Sequence, residues 1–156
     1  MSKGFTLIEL VVVIAIIAAL SGLILFSTTQ YINKGKDSNI SGNLAVLIPA
    51  GENFYDGNGG SYNDGIANFC NPSDNSVLDN VLDQIPKHPL GQGSCDSGIC
   101  CKAESQAWAA CAREFADDRK AYCVDSRGMK KDICNSDCSD TFSVCPQSHI
   151  ESCTNN

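Results

Sequence analysis

Apolar residues are concentrated at one end of the chain. From Phe5 to Phe26 the sequence reads FTLIELVVVIAIIAALSGLILF, 22 residues with a single charge, Glu9. An α-helix rises about 1.5 Å per residue, so the run spans roughly 33 Å, enough to cross a bilayer core. A helix that is apolar all round must be covered on every side. Further along the pattern becomes one-sided. Ile40, Leu44, Leu47, Ile48, Gly51, Phe54 and Tyr55 recur at helical spacing, with Asn43, Glu52 and Asn53 between them. The spacing predicts one helix from about Phe5 to Tyr55 whose second half lays an apolar stripe on something else. Pro49 removes a backbone bond and crowds the preceding turn, which predicts a bend there. Gly35 and Gly42 weaken the helix by about 1 kcal/mol each relative to alanine. Asp56-Gly57-Asn58-Gly59-Gly60 predicts its end in a turn.

Shorter elements follow. Ser76 and Asp79 have the spacing of a capping box, opening a helix through Ile85 with Val77, Leu78, Val81, Leu82 and Ile85 on one face, stopped by Pro86 and Pro89. Beyond Cys101 the period shortens. Trp108, Ala110 and Ala112 alternate with Ala109, Cys111 and Arg113, and Tyr122-Cys123-Val124 is a second β-like run. Asp125-Ser126-Arg127-Gly128 is a turn signal, and Met129 to Ile133 is the expected return strand of a hairpin. Trp108 is expected to anchor the sheet core. The elements amount to an α+β chain, a long N-terminal helix packed on a small antiparallel sheet.

Composition says what must hold that sheet together. From Gly57 to Asn156 only 15 of 100 residues are Leu, Ile, Val or Phe, too few to stabilise a domain by burial alone. Ten cysteines lie in the same stretch: Cys70, Cys95, Cys100, Cys101, Cys111, Cys123, Cys134, Cys138, Cys145 and Cys153. An even count in a core-poor segment predicts structural disulfides and an oxidising compartment. Their connectivity is not readable from spacing. Adjacent Cys100 and Cys101 are expected to take separate partners, and the polar tail from Cys134 onward to be a stapled loop region.

Other chemistry is thin. No Cys-x-x-Cys knuckle occurs, so neither a metal centre nor a thioredoxin-like redox pair is expected. Cys134 and Cys138 with His149 are the nearest thing to a zinc set. His88 and His149 are the only histidines, expected in loops or at the surface, and no nucleophile motif accompanies either. Asp117-Asp118 and the pair Asp137 and Asp140 lack the ligand ladder of a calcium loop and read as solvated acidic surface. No enzyme activity and no cofactor are expected, and the net charge of −7 argues against a general nucleic-acid binder.

Glu9 stands out. On insertion scales an acid at the centre of a membrane span costs about 2.5–3.5 kcal/mol, and less near an end, so its presence points to function and to a cationic partner. The span contains no Lys or Arg. The nearest candidate is an amino terminus created by a cut just before Phe5. A removable secretory signal would need small residues at a cleavage site after the apolar run, and no Ala-x-Ala pattern follows Phe26. Lys3 before the run, with no further cation until Lys34, favours a cytoplasmic N-terminus and an external cysteine-rich remainder.

Lys3-Gly4-Phe5-Thr6-Leu7-Ile8-Glu9-Leu10 resembles the processing site of bacterial type IV pilins and type II secretion pseudopilins, over about the first 30 residues. The resemblance implies cleavage after Gly4 by a prepilin peptidase, N-methylation of Phe5, and a role for Glu9 in pairing charge during assembly. It implies residues 1–4 as a leader, 5–33 as the membrane and filament-core half of the helix, 34–56 as the half packed on the head, and 57–156 as an extracytoplasmic head. The expected function is a structural subunit, held in the inner membrane and then polymerised with homologous subunits into a pilus-like filament for adhesion, motility or surface contact. A secretion pseudopilin is the first alternative and a DNA-uptake pilin the next. A membrane-anchored cysteine-rich binding domain is the alternative from a different class. Many pilus subunits carry a proline in the apolar half of the helix; here none precedes Pro49.

Overall fold

One helix, α1 (Leu7–Gly57), accounts for a third of the chain in the computed structural model. The structure describes residues 5–71, 73–88, 95, 99–147 and 153, apart from the side chains of 23, 25–27 and 82. Thr6 caps α1 at its start. At its end the Asn58 amide donates to Phe54 and Tyr55, and Gly59 and Gly60 turn the chain away with φ of +64° and +82°. The expected limits were Phe5 and Tyr55; the caps place both two residues later. The helix passes through Pro49 without ending.

Along α1 the surroundings change as the apolar pattern does. Leu7, Ile8, Val11, Ile14, Ile17, Leu20 and Ile24 are exposed, whereas Ile40, Leu44 and Leu47 are fully buried. Among the described residues, which omit side chains at three positions of the Phe5–Phe26 run, no helix is long and apolar enough to cross a membrane.

The head follows as α2 (Ser76–Gln84), β1 (Cys100–Ala103), β2 (Trp108–Arg113), β3 (Lys120–Asp125), β4 (Lys130–Cys134) and a 3-10 turn, Asn135–Asp137. The strands form one antiparallel meander in sequence order. Two expectations need correction. The N-cap of α2 is Asn75, whose side chain accepts from the Val77 and Leu78 amides, so Ser76 is already the first helical residue. An asparagine cap satisfies the same orphan donors, and the Ser76/Asp79 spacing is incidental. Strand β1 had no expected counterpart, because Cys100-Cys101-Lys102-Ala103 carries no apolar alternation; its pairing with β2 makes it a strand.

Alternation sends successive side chains to opposite faces of the sheet. Ala103, Trp108, Ala110, Ala112 and Val124 face α1 and join Ile40, Leu44, Leu47, Phe69, Leu78 and Ile85 in one core. Trp108 is its centre, fully buried, with its ring 4.6 Å from Phe69 and its indole against Gly51. A Cβ at position 51 would stand 2.5 Å from Trp108 Nε1, so the helix can approach only because that residue is glycine.

The opposite face is built differently. Cys100, Cys111 and Cys123 lie in lateral register across β1, β2 and β3, and with Ala121, Ile133, Cys138 and Cys145 they form a second buried cluster. The bonds are Cys70–Cys101, Cys95–Cys100, Cys111–Cys138, Cys123–Cys145 and Cys134–Cys153. Cys100 and Cys101 do take separate partners, one on each face. Three of the bonds draw the tail over the sheet, where Asp125, wholly buried, accepts from the Arg127, Met129 and Cys145 amides and from the Arg127 guanidinium. The tail is stapled, as its composition suggested.

Candidate functional site

The start of α1 brings together Phe5, Thr6 and Glu9. Thr6 sits in extended backbone, and its Oγ1 accepts from the Glu9 amide at 3.4 Å. The Glu9 carboxylate reaches back, with Oε2 accepting from the Thr6 amide at 2.8 Å and from Thr6 Oγ1 at 2.7 Å. This is a reciprocal capping box, which satisfies otherwise orphan donors at a helix start. Among the described residues no bond falls on Glu9 Oε1. The surroundings are apolar and open: Phe5 is 79% exposed and Leu7 80%, with Ile8, Val12 and Val13 lining the same shallow surface as Glu9. The arrangement offers one fixed carboxylate to a cation arriving over an apolar surface. Sequence reasoning singled out Glu9 but not Thr6, although the Thr-x-x-Glu spacing is itself a capping signal. Gly4 lies outside the described residues.

A second cluster joins α1 to the head. Asp37 of α1 accepts from the Phe115 amide at 2.6 Å and the Ala116 amide at 3.0 Å, and the Lys36 ammonium sits 4.3 Å from the centre of the Phe115 ring. His88 also packs on Phe115, with ring centres 4.7 Å apart, and lies 3.4 Å from Asp118. It lies in a loop, one of the two expected settings, yet is buried, because the segment after α2 folds into this joint. Burial, then the Arg113 charge, hold its imidazole below the ordinary value, with Asp118 and Asp37 acting the other way. Asp117 and Asp118 lie at the surface, Asp118 exposed, and make ion pairs there: Asp117 with Arg119 and Lys120, and Asp118 with His88 and Arg113. Cys134 and Cys138 are consumed by different disulfides, which removes both thiols from any zinc set, and His149 lies outside the described residues.

Beside the joint, Glu114 is pushed up to about 7 by burial first, then by the charges of Asp132 and Asp37 and a hydrogen bond with Asp132. A carboxyl whose folded value is raised favours the fold below its ordinary value, near 4.5, and that contribution is lost as pH rises through about 7. His88 has the opposite slope, its contribution being lost as pH falls. Glu114→Gln should therefore flatten the loss of thermal stability between pH 5 and 8 while leaving the acid side unchanged. Melting curves of the full chain in detergent across that range measure it, and equal slopes for variant and wild type would refute it.

Comparisons with known proteins bear on the helix start. Residues 1–25 match the family model for the prokaryotic N-terminal methylation motif. The type IV major alpha-pilin of Moraxella bovis is 51% identical over 44 residues, 28% of this chain and 28% of that protein, so the match spans under a third of either. No solved structure matches the chain. Both likenesses fall on the N-terminal segment, and over that segment the chain is similar to a type IV pilin.

Proposed function

We propose that the chain is a structural subunit that a prepilin peptidase cuts after Gly4 and methylates at Phe5, and that polymerises through α1 into a type IV pilus-like filament. The observation that carries it is the methylation motif placed at the head of a helix whose first half is exposed and apolar and whose second half is covered by the disulfide-bonded head. Before assembly the apolar half rests in the inner membrane, with the head outside. On assembly it leaves lipid for the equally apolar helices of other subunits. Little is gained from leaving water, so packing and polar pairing decide the register. The pairing runs from the Phe5 amine of one subunit to Glu9 of a neighbour. The name of the Moraxella bovis relative is that of a pilus subunit, which favours a pilus over a secretion pseudopilus. The head supplies the filament's outer surface for adhesion, motility or contact.

The test is the mass of the N-terminal peptide after expression with a prepilin peptidase. A peptide beginning at Phe5 with one added methyl group is expected. A chain retaining Met1–Gly4 in those cells, or one cut beyond Phe26, would refute the proposal.

A further inference from the structure

Two of the five disulfides stand close enough to react with each other. Cys100 and Cys111 are directly opposed in the β1–β2 register, while each is bonded elsewhere, to Cys95 and Cys138. The sulfurs of Cys100, Cys111 and Cys138 all lie within 4.8 Å of one another and are buried. Cys100 Sγ is also 3.6 Å from the carbonyl oxygen of Cys138, which places the Cys138 turn over it. Opposed residues of an antiparallel pair have Cα atoms about 4.5–5.5 Å apart, inside the range a disulfide spans.

We propose that Cys95–Cys100 and Cys111–Cys138 form one exchange unit, with the cross-strand bond Cys100–Cys111 as its second state. A Cys100 thiolate arises before Cys95 has paired, or when an external thiol attacks Cys95 Sγ, bonds to it and expels Cys100. The thiolate attacks Cys111 Sγ; the Cys100–Cys111 bond forms, the Cys111–Cys138 bond breaks, and the electron pair leaves on Cys138 as a thiolate. No net oxidation or reduction accompanies the exchange. Its structural consequence is release of the Cys138 turn from the sheet, while Cys123–Cys145 and Cys134–Cys153 still hold the tail. Cys101 cannot join, because its side chain faces the helix-side core and its partner is Cys70.

The test uses the full chain in detergent. In Cys95→Ser the remaining thiol should distribute between Cys100 and Cys138, reached faster as pH rises from 6 to 8, and read by alkylation at each time point with peptide mass mapping. In Cys70→Ser the thiol should stay on Cys101 throughout. The double variant Cys95→Ser/Cys138→Ser should close Cys100–Cys111 on air oxidation, a bond that needs no movement of the strand pair. A thiol confined to Cys100 in the single variant after a day at pH 8 overturns the exchange unit. Two persistent free thiols in the double variant overturn it independently, even if the single variant folds poorly.

Discussion

Replacing Glu9 with valine is expected to reduce filament assembly on the order of a hundredfold or more while leaving the chain inserted in the membrane. The apolar half of α1 gives identical helices no preferred axial step, since sliding one past another exchanges one apolar contact for another. In the assembly proposed above, the Phe5 amine and the Glu9 carboxylate break that degeneracy. In the correct step both charges are paired; in a wrong step both are buried alone, and breaking a buried pair costs about 3–5 kcal/mol, which corresponds to two to three and a half decades. Insertion should not suffer, because removing an acid from an apolar span lowers its cost. Valine also abolishes the reciprocal bonds with Thr6, so a second variant is needed. Glu9→Gln keeps an acceptor for the Thr6 amide and hydroxyl but carries no charge. If charge pairing sets the step, Gln assembles as poorly as Val. Sheared-filament yield, normalised to membrane-inserted subunit, is the measurement. Normal yield from Glu9→Gln would leave the capping box, and not the charge pair, as the role of this residue.

Trp108→Ala should be the most damaging single substitution in the head, by about 3–5 kcal/mol. The reason is that so little else fills the core. Around Trp108 the sheet contributes Ala103, Ala110 and Ala112, so the indole is the bulk on which α1, Phe69 and the sheet converge. Small sheet residues allow the helix to close in, Gly51 lets it touch, and the tryptophan fills the remaining space. Gly51→Ala attacks the same contact from the other side: its Cβ would stand 2.5 Å from Trp108 Nε1, and overpacking of this kind costs about 1–3 kcal/mol. Because the two residues touch, their effects should not add. In Trp108→Ala the added methyl at position 51 meets open space, so the double variant should be no less stable than Trp108→Ala alone. Chemical denaturation of the four proteins with disulfides intact provides the cycle. A double variant less stable than Trp108→Ala alone would mean that Gly51 is needed for some other reason.

Local regularities explain what was legible beforehand. The all-round apolar run, the one-sided stripe from Ile40 to Tyr55 and the glycine-rich exit depend on neighbours a few residues away, and so did the strands β2 to β4 with their turn at Asp125–Gly128. A core-poor, cysteine-rich head requires covalent support whatever its topology, so disulfides were foreseeable where their pairing was not. Glu9 is legible for another reason, since an acid in an apolar run is conspicuous, and the methylation motif over residues 1–25 is carried by contiguous sequence.

Tertiary structure decided the rest, because the forces involved act between segments far apart in the chain. Strand β1 exists through pairing with β2. Each disulfide joins one strand cysteine to a cysteine outside the four strands, and the sheet face a cysteine points from decides which segment can reach it, as the opposite destinies of Cys100 and Cys101 show. His88 has the flanks of an exposed loop residue and is buried where Phe115 and Asp118 of the β2–β3 loop pack against it. Asp117 pairs with Arg119 and Lys120 close by in sequence, whereas Asp118 meets His88 only through the fold. Thr6 stood in plain view three residues before Glu9, yet its hold on the carboxylate became definite only when the backbone turned at that position. Periodicity records what one element needs to bury; it carries no information about which distant element will arrive to cover it.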